Sequence, residues 1–270
     1  MKNKLLAAPY IVWMALFIIV PLGIVVYYAL TDSLTGQFTL ANLSGMGAYL
    51  SIFLRSIWLS LFAALICLVV GYPVGYFISQ CSPARQRFLQ MLIMLPMCMS
   101  FLLRTLAWVA MLEDTGIFNT FLGKLGIAPL PLIRTSGAVI LGMVYNYLPY
   151  MILPLLSVMS KIDSRLIEAA ADLGCPPSKV FTKVILPLSY PGILSGLTMV
   201  FVPAMTTFVI SNLLGGAKIN LIGNVIEQEF TTANNWYGGA GLSIVLMILI
   251  LGSMAVMSHF DKEGEGAAIW

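Results

Sequence analysis

Six apolar stretches constrain this chain before anything else does. Approximately Leu5 to Leu30, Ser56 to Gln80, Phe88 to Leu112, Ser136 to Ser160, Leu188 to Leu213 and Gly239 to His259 each run for roughly twenty residues or more with scarcely a charge. A hydrocarbon core about 30 Å thick takes about 20 helical residues to cross, because backbone N–H and C=O groups in lipid must be satisfied inside the segment. The pattern predicts an all-α integral membrane protein with six transmembrane helices and one domain over 1–270. Composition agrees: 60% of residues are apolar and 9% charged, against about 25% charged in soluble domains. A soluble chain could not solvate its surface with so few charges.

Lys and Arg set the orientation, since positive loops stay on the cytoplasmic side during insertion. Lys2, Lys4, Arg85, Arg87, Lys161, Arg165, Lys179, Lys183 and Lys262 fall on one side, and Arg55, Lys124, Arg134 and Lys218 on the other. Both termini, the Cys81 to Arg87 loop and the 161–187 loop are therefore expected on the cytoplasmic side. Lys2 and Lys4 followed by an apolar run imitate a signal peptide, but no small-residue cleavage site follows, so the segment is read as the first span. A net charge of +3 without a basic stripe argues against nucleic acid. Cys67, Cys81, Cys98 and Cys175 form no Cys-x-x-Cys pair and read as packing residues.

Pro21, Gly71, Pro73, Pro96, Pro149, Pro154, Pro191 and Pro203 interrupt the spans. Each is either a kink satisfied by neighbouring helices or a break whose freed backbone lines a cavity.

The 161–187 loop carries an amphipathic helix. Leu166, Ala169, Ala170 and Leu173 fall at i, i+3, i+4 and i+7, with Arg165, Glu168 and Asp172 on the other side. Asp163 or Ser164 suits its N-cap, and Gly174 with Pro176 its end. Small and medium side chains along the stripe suit a helix lying in a partner's groove, the alternative being a helix resting on lipid headgroups.

Glu168-Ala169-Ala170, three residues, Gly174, nine residues, then Val184-Ile185-Leu186-Pro187 resembles the EAA loop of binding-protein-dependent ABC importer permeases. The departure is Val184, where Ile is usual. Further similarity to the polyamine branch, the first of the two permeases of spermidine/putrescine importers, runs nearly end to end. It includes Leu68-Val69-Val70-Gly71-Tyr72-Pro73, Leu102-Leu103-Arg104-Thr105-Leu106-Ala107-Trp108, Leu214-Gly215-Gly216-Ala217-Lys218 and Leu221-Ile222-Gly223-Asn224-Val225-Ile226. The resemblance implies a type I ABC importer permease bundle whose cytoplasmic coupling helix, with Arg165, Glu168, Ala169, Ala170, Asp172 and Gly174, docks on a nucleotide-binding subunit. It also implies a second homologous permease, an ATPase dimer and an extracytoplasmic polyamine-binding protein. No Gly-x4-Gly-Lys-Ser/Thr loop occurs, so ATP and Mg are expected on the partner ATPase, with no cofactor in this chain.

A polycation crossing a dry bundle exchanges water for aromatic faces, carbonyls and carboxylates. Trp108, Tyr145, Asn146, Tyr147 and Tyr150 are candidates for that path, Trp108 being alternatively an interfacial anchor. Glu113, Asp114, Glu227 and Glu229 make the outer mouth acidic, either to attract substrate or its carrier or as solvated carboxylates paired with Arg134 or Lys218. Thr206, Thr207, Ser211 and Asn212 offer weak polar contacts. Arg104, an ion within a span, is a functional candidate by position. It would repel a cation, so pairing with a carboxylate of the second permease or with backbone carbonyls is preferred over gating.

Two other classes compete. An ion-coupled secondary carrier would place titratable groups near the bilayer midplane, where Arg104 is the clear ion. A membrane-embedded enzyme would need convergent His, Cys or paired carboxylates, and His259 is the sole histidine.

Overall fold

The computed structural model describes residues 9–33 and 35–267, without side-chain burial at 44, 46, 217 and 258–267. Lys2, Lys4 and the start of the first span lie outside these residues, as do the side-chain environments of His259 and Lys262. Four helices among the described residues are long and apolar enough to cross a membrane: Pro9–Ala29 (α1), Ala41–Ser79, Ser136–Met159 (α6) and Trp236–Met257. Two bent pairs bring the number to six when each pair is taken as one crossing. Pro83–Cys98 meets Phe101–Lys124 at 84°, and Pro177–Leu188 meets Tyr190–Thr206 at 61°.

The regular part of the second crossing is Leu50–Ser79 (α2), which starts before Ser56. Pro83–Met94 (α3), Phe101–Leu112 (α4) and Ile117–Lys124 (α5) follow it. After α6 come the short helix Ser164–Asp172 (α7), then Tyr190–Thr206 (α8), Ile222–Thr231 (α9) and Trp236–Ala267 (α10).

The core is a three-helix block. α6 sits at its centre, with Met143, Met151, Leu155 and Leu156 fully buried. Glycine lets its neighbours approach. A Cβ at Gly71 of α2 would stand 3.0 Å from Met151 Cγ, and one at Gly196 of α8 would stand 2.6 Å from Met151 Sδ. Cys67 lies opposite Val144, Gly71 opposite Met151 and Gly75 opposite Leu155, so α2 and α6 run parallel. Their carboxyl ends reach the face that carries α7, where Ser79, Gln80, Met159 and Ser160 lie beside Ile162 and Ile167. The loops before α2 and α6 lie at the opposite end.

Not every proline breaks its helix. α2 continues through Gly71 and Pro73, and α6 through Pro149 and Pro154, because tight neighbours hold the backbone in place. In α1 a π-turn at Ala15–Ile19 precedes Pro21, taking up the missing N–H. Pro96 does break the expected 88–112 span. Leu95–Cys98 tightens to a 3₁₀ turn, Met99 becomes extended (ψ 152°), and α4 starts again at Phe101. Leu92 loses its donor there, and the exposed side chains of Leu95 and Met99 show no packing that would hold the helix straight.

The expected 188–213 span is also shorter. α8 ends at Thr206, Thr207 is extended (ψ 136°), and a π-turn covers Ser211–Gly215. Buried polar side chains satisfy this irregular backbone. Asn224 Nδ2 donates to Phe208 O at 3.1 Å and its Oδ1 accepts from Leu221 N at 2.9 Å, while Ile222 N donates to Ser56 Oγ at 2.8 Å. Non-helical backbone at membrane depth survives only where protein covers it or where it lines a water-filled cavity.

Candidate functional site

α7 is defined at both ends by its own sequence. Asp163 Oδ1 accepts the Arg165 N–H at 3.0 Å, so Asp163 rather than Ser164 is the N-cap. At the other end Cys175 N donates to Ala170 O at 3.1 Å and Gly174 N to Ala171 O at 2.9 Å, with Gly174 at φ +76°. That is a Schellman closure, and it explains why glycine stands at 174.

The face that α7 turns inward is not the expected stripe. Ile167, with Ile162, borders a hollow of about 110 Å³ against Tyr76, Ser79 and Met159. Leu166 and Ala169 are exposed, Leu173 is 86% exposed, and Ala170 is half-buried. Arg165, Glu168 and Asp172 are exposed as well. Three of the four stripe residues, Leu166, Ala169 and Leu173, thus stay exposed among the described residues.

Sequence reasoning missed what fastens this region to the bundle. Phe181 stands edge-on to Tyr72 (centroids 5.7 Å) and to Tyr76 (6.2 Å), both on α2. Tyr72 OH also meets Ser189 Oγ at 2.8 Å, at the bend before α8. Two tyrosines spaced i, i+4 at the polar end of a span were the available signal.

The polar-aromatic residues of α6 do not form one cluster. Successive residues turn by about 100° around a helix, so Asn146 and Tyr147 are buried while Tyr145 and Tyr150 are exposed. Trp108 stands edge-on to Tyr145 at 5.4 Å and stacks on Phe118 at 6.4 Å. Tyr147 lies 6.3 Å from Tyr150, its OH donates to Pro203 O at 3.3 Å, and the Thr207 side chain adjoins that hydroxyl. Asn146 Nδ2 is spent on Gly142 O at 2.9 Å, and its Oδ1 has no partner among the described residues. Asn212 is exposed and accepts from Asn224 Nδ2.

Arg104 is 8% exposed, with Cζ 6.0 Å from the Phe101 ring centroid. Neither its Nε nor its Nη1 meets an acceptor among the described residues, so the backbone carbonyls considered as partners are not reached.

At the opposite end, Glu113 and Asp114 border a crevice of about 510 Å³ shared with Arg134 and Lys218. The crevice wall is held by Arg134, whose φ is +61° and whose N–H donates to Leu214 O at 2.8 Å. Nearby, Glu229 is bracketed by Tyr49 OH (3.3 Å) and Asn235 Nδ2 (2.8 Å).

The family model described as binding-protein-dependent transport system inner membrane component matches residues 71–263. The spermidine/putrescine transport system permease protein PotB of Haemophilus influenzae is 38% identical, over 92% of this chain and 90% of its own length. The PotB protein of Escherichia coli is 37% identical, over 88% and 90% respectively. Among solved structures, a bacterial ABC transporter involved in import of the acidic polysaccharide alginate superposes with a TM-score of 0.78 at 18% identity, covering 97% of this chain and 96% of that one. At that identity the likeness speaks for the fold alone.

Proposed function

The chain belongs to the binding-protein-dependent transport system inner membrane component family, and from that premise we propose that it is the membrane-spanning permease of an ATP-driven importer of polyamines such as spermidine and putrescine. The observation that carries the reading is α7. A helix capped at both ends, bearing Glu168-Ala169-Ala170 and Gly174, leaves Leu166, Ala169 and Leu173 exposed among the described residues. Such a face fits a groove on another protein. That protein is a separate ATPase, which binds ATP and Mg. A second homologous permease completes the bundle, and a binding protein delivers the amine at the end opposite α7. Both termini lie with α7 in the cytoplasm. The relatives named for spermidine and putrescine support the substrate class.

Mechanically, closure of the ATPase dimer displaces α7. Ile167 and the Phe181–Tyr72–Tyr76 contact pass that displacement to α2, and the Tyr72–Ser189 hydrogen bond passes it to the bend before α8. The glycine-packed block then tilts and exchanges inward-open for outward-open states. Trp108, Tyr145, Tyr147, Tyr150 and Thr207 offer aromatic faces and hydroxyls to the passing amine.

The test is uptake of labelled spermidine and putrescine by the reconstituted assembly, dependent on ATP and binding protein. Transport of another solute with both polyamines refused overturns the substrate class. Undiminished uptake in Glu168→Lys overturns the coupling role.

A further inference from the structure

We infer that the hollow between Tyr49 and Glu229 is a binding site for a primary alkylammonium group, the first amine contact at the end opposite α7. This deepens the polyamine reading and rests on it for the identity of the ligand. The hollow encloses about 490 Å³ and is lined by Tyr49, Val225, Gln228, Glu229, Thr232 and Ala233. Val225, Gln228 and Glu229 fall at i, i+3 and i+4, one face of α9, and Thr232 is the C-cap that follows it.

The carboxylate is held ready. Tyr49 OH donates to Glu229 Oε1 at 3.3 Å and Asn235 Nδ2 to Oε2 at 2.8 Å. An ionised carboxylate has about four lone-pair sites, so each oxygen retains capacity for an ammonium N–H. Asn235 is itself fixed, because its Oδ1 accepts the Gly238 N–H at 3.1 Å and thereby caps α10. Glu229 is therefore fastened through Tyr49 to the turn leading into α2 and through Asn235 to the start of α10. The Tyr49 ring adds an aromatic face, Gln228 and Thr232 add polar groups, and Val225 and Ala233 supply apolar wall for methylenes. Fixed carboxylate, aromatic face and short apolar wall are the groups that replace water around an alkylammonium.

Binding of labelled putrescine and of n-butylamine to the assembled transporter in detergent, without ATP, tests the site. Glu229→Gln keeps the size of the side chain and removes its charge. It is expected to weaken binding of both amines about tenfold, as loss of one charge-assisted hydrogen bond does. Tyr49→Leu removes the ring without touching the charge and is expected to weaken binding severalfold. Glu227→Gln removes an equal charge from the same helix outside this hollow, so it measures the general charge effect and is expected to weaken binding clearly less than Glu229→Gln. Equal weakening by Glu227→Gln and Glu229→Gln reduces the effect to general surface charge and overturns the site. Unchanged binding in Glu229→Gln and Tyr49→Leu, each with wild-type melting temperature, overturns it too. A wild-type assembly that binds amine through Glu229 yet imports none leaves the site standing and overturns the transport reading instead.

Discussion

The ring of Phe181 stands edge-on to that of Tyr72, centroids 5.7 Å apart at 82°, so the loop after α7 grips α2 through an aromatic contact rather than a charge pair. A grip of this kind resists displacement in every direction in which the rings overlap, and salt leaves it untouched.

Phe181→Leu loses the edge contacts with both Tyr72 and Tyr76, worth roughly 1–3 kcal/mol together. In the assembled transporter the expected result is ATP hydrolysis that persists while solute moved per ATP falls severalfold. Measuring both rates on one preparation checks it; a parallel fall in the two would assign Phe181 to stability alone.

Leu173 and Gly174 separate docking from folding. Leu173→Asp alters a side chain that is 86% exposed, so the melting temperature of the permease should not move while retention of the ATPase during purification drops. Gly174→Ala meets no atom within 4 Å, yet it forces a Cβ into φ +76°, at about 1–2 kcal/mol. It should loosen the end of α7 and weaken the same association more mildly.

Gly196→Val drives a branched side chain toward Met151, whose Sδ already lies 2.6 Å from where a Cβ would sit. Overpacking of this kind costs roughly 1–3 kcal/mol, and thermal unfolding in detergent should show it as a lower melting temperature. Gly252→Val, with open space around it, is the control.

Arg104 distinguishes the lone chain from the assembly. Its Nε and Nη1 are buried without acceptors among the described residues, and burying a charge that lacks a partner carries a desolvation cost that an apolar side chain avoids. Arg104→Met should therefore hold or raise the melting temperature of the isolated permease. If the second permease supplies a carboxylate, the same substitution should lower that of the assembled transporter.

Length and apolarity made the six crossings legible, and the cap residues with the Glu168 to Gly174 spacing made α7 legible to within a residue. Which prolines break their helices was not. Pro73 and Pro96 read alike as residues, and what separates them is that Gly71 and Gly75 lie against α6, while Leu95 and Met99 have no such support. The candidate path was half legible for a similar reason. Tyr145 and Tyr147 are two apart in sequence and serve opposite neighbours, Trp108 for one and Pro203 for the other. Glu229 was visible as a loop carboxylate, but its partner Tyr49 is 180 residues away, a separation that local periodicity does not bridge.

The glycine contacts among α2, α6 and α8 have a consequence for motion. Helices packed closely through Gly71, Gly75, Gly192 and Gly196 leave little slack for one rod to slide along the next. The 84° and 61° elbows remain as the bends in the crossings, so under the proposed coupling a stroke delivered at the loop would be converted into swing at those two hinges instead of being absorbed as creep within the bundle.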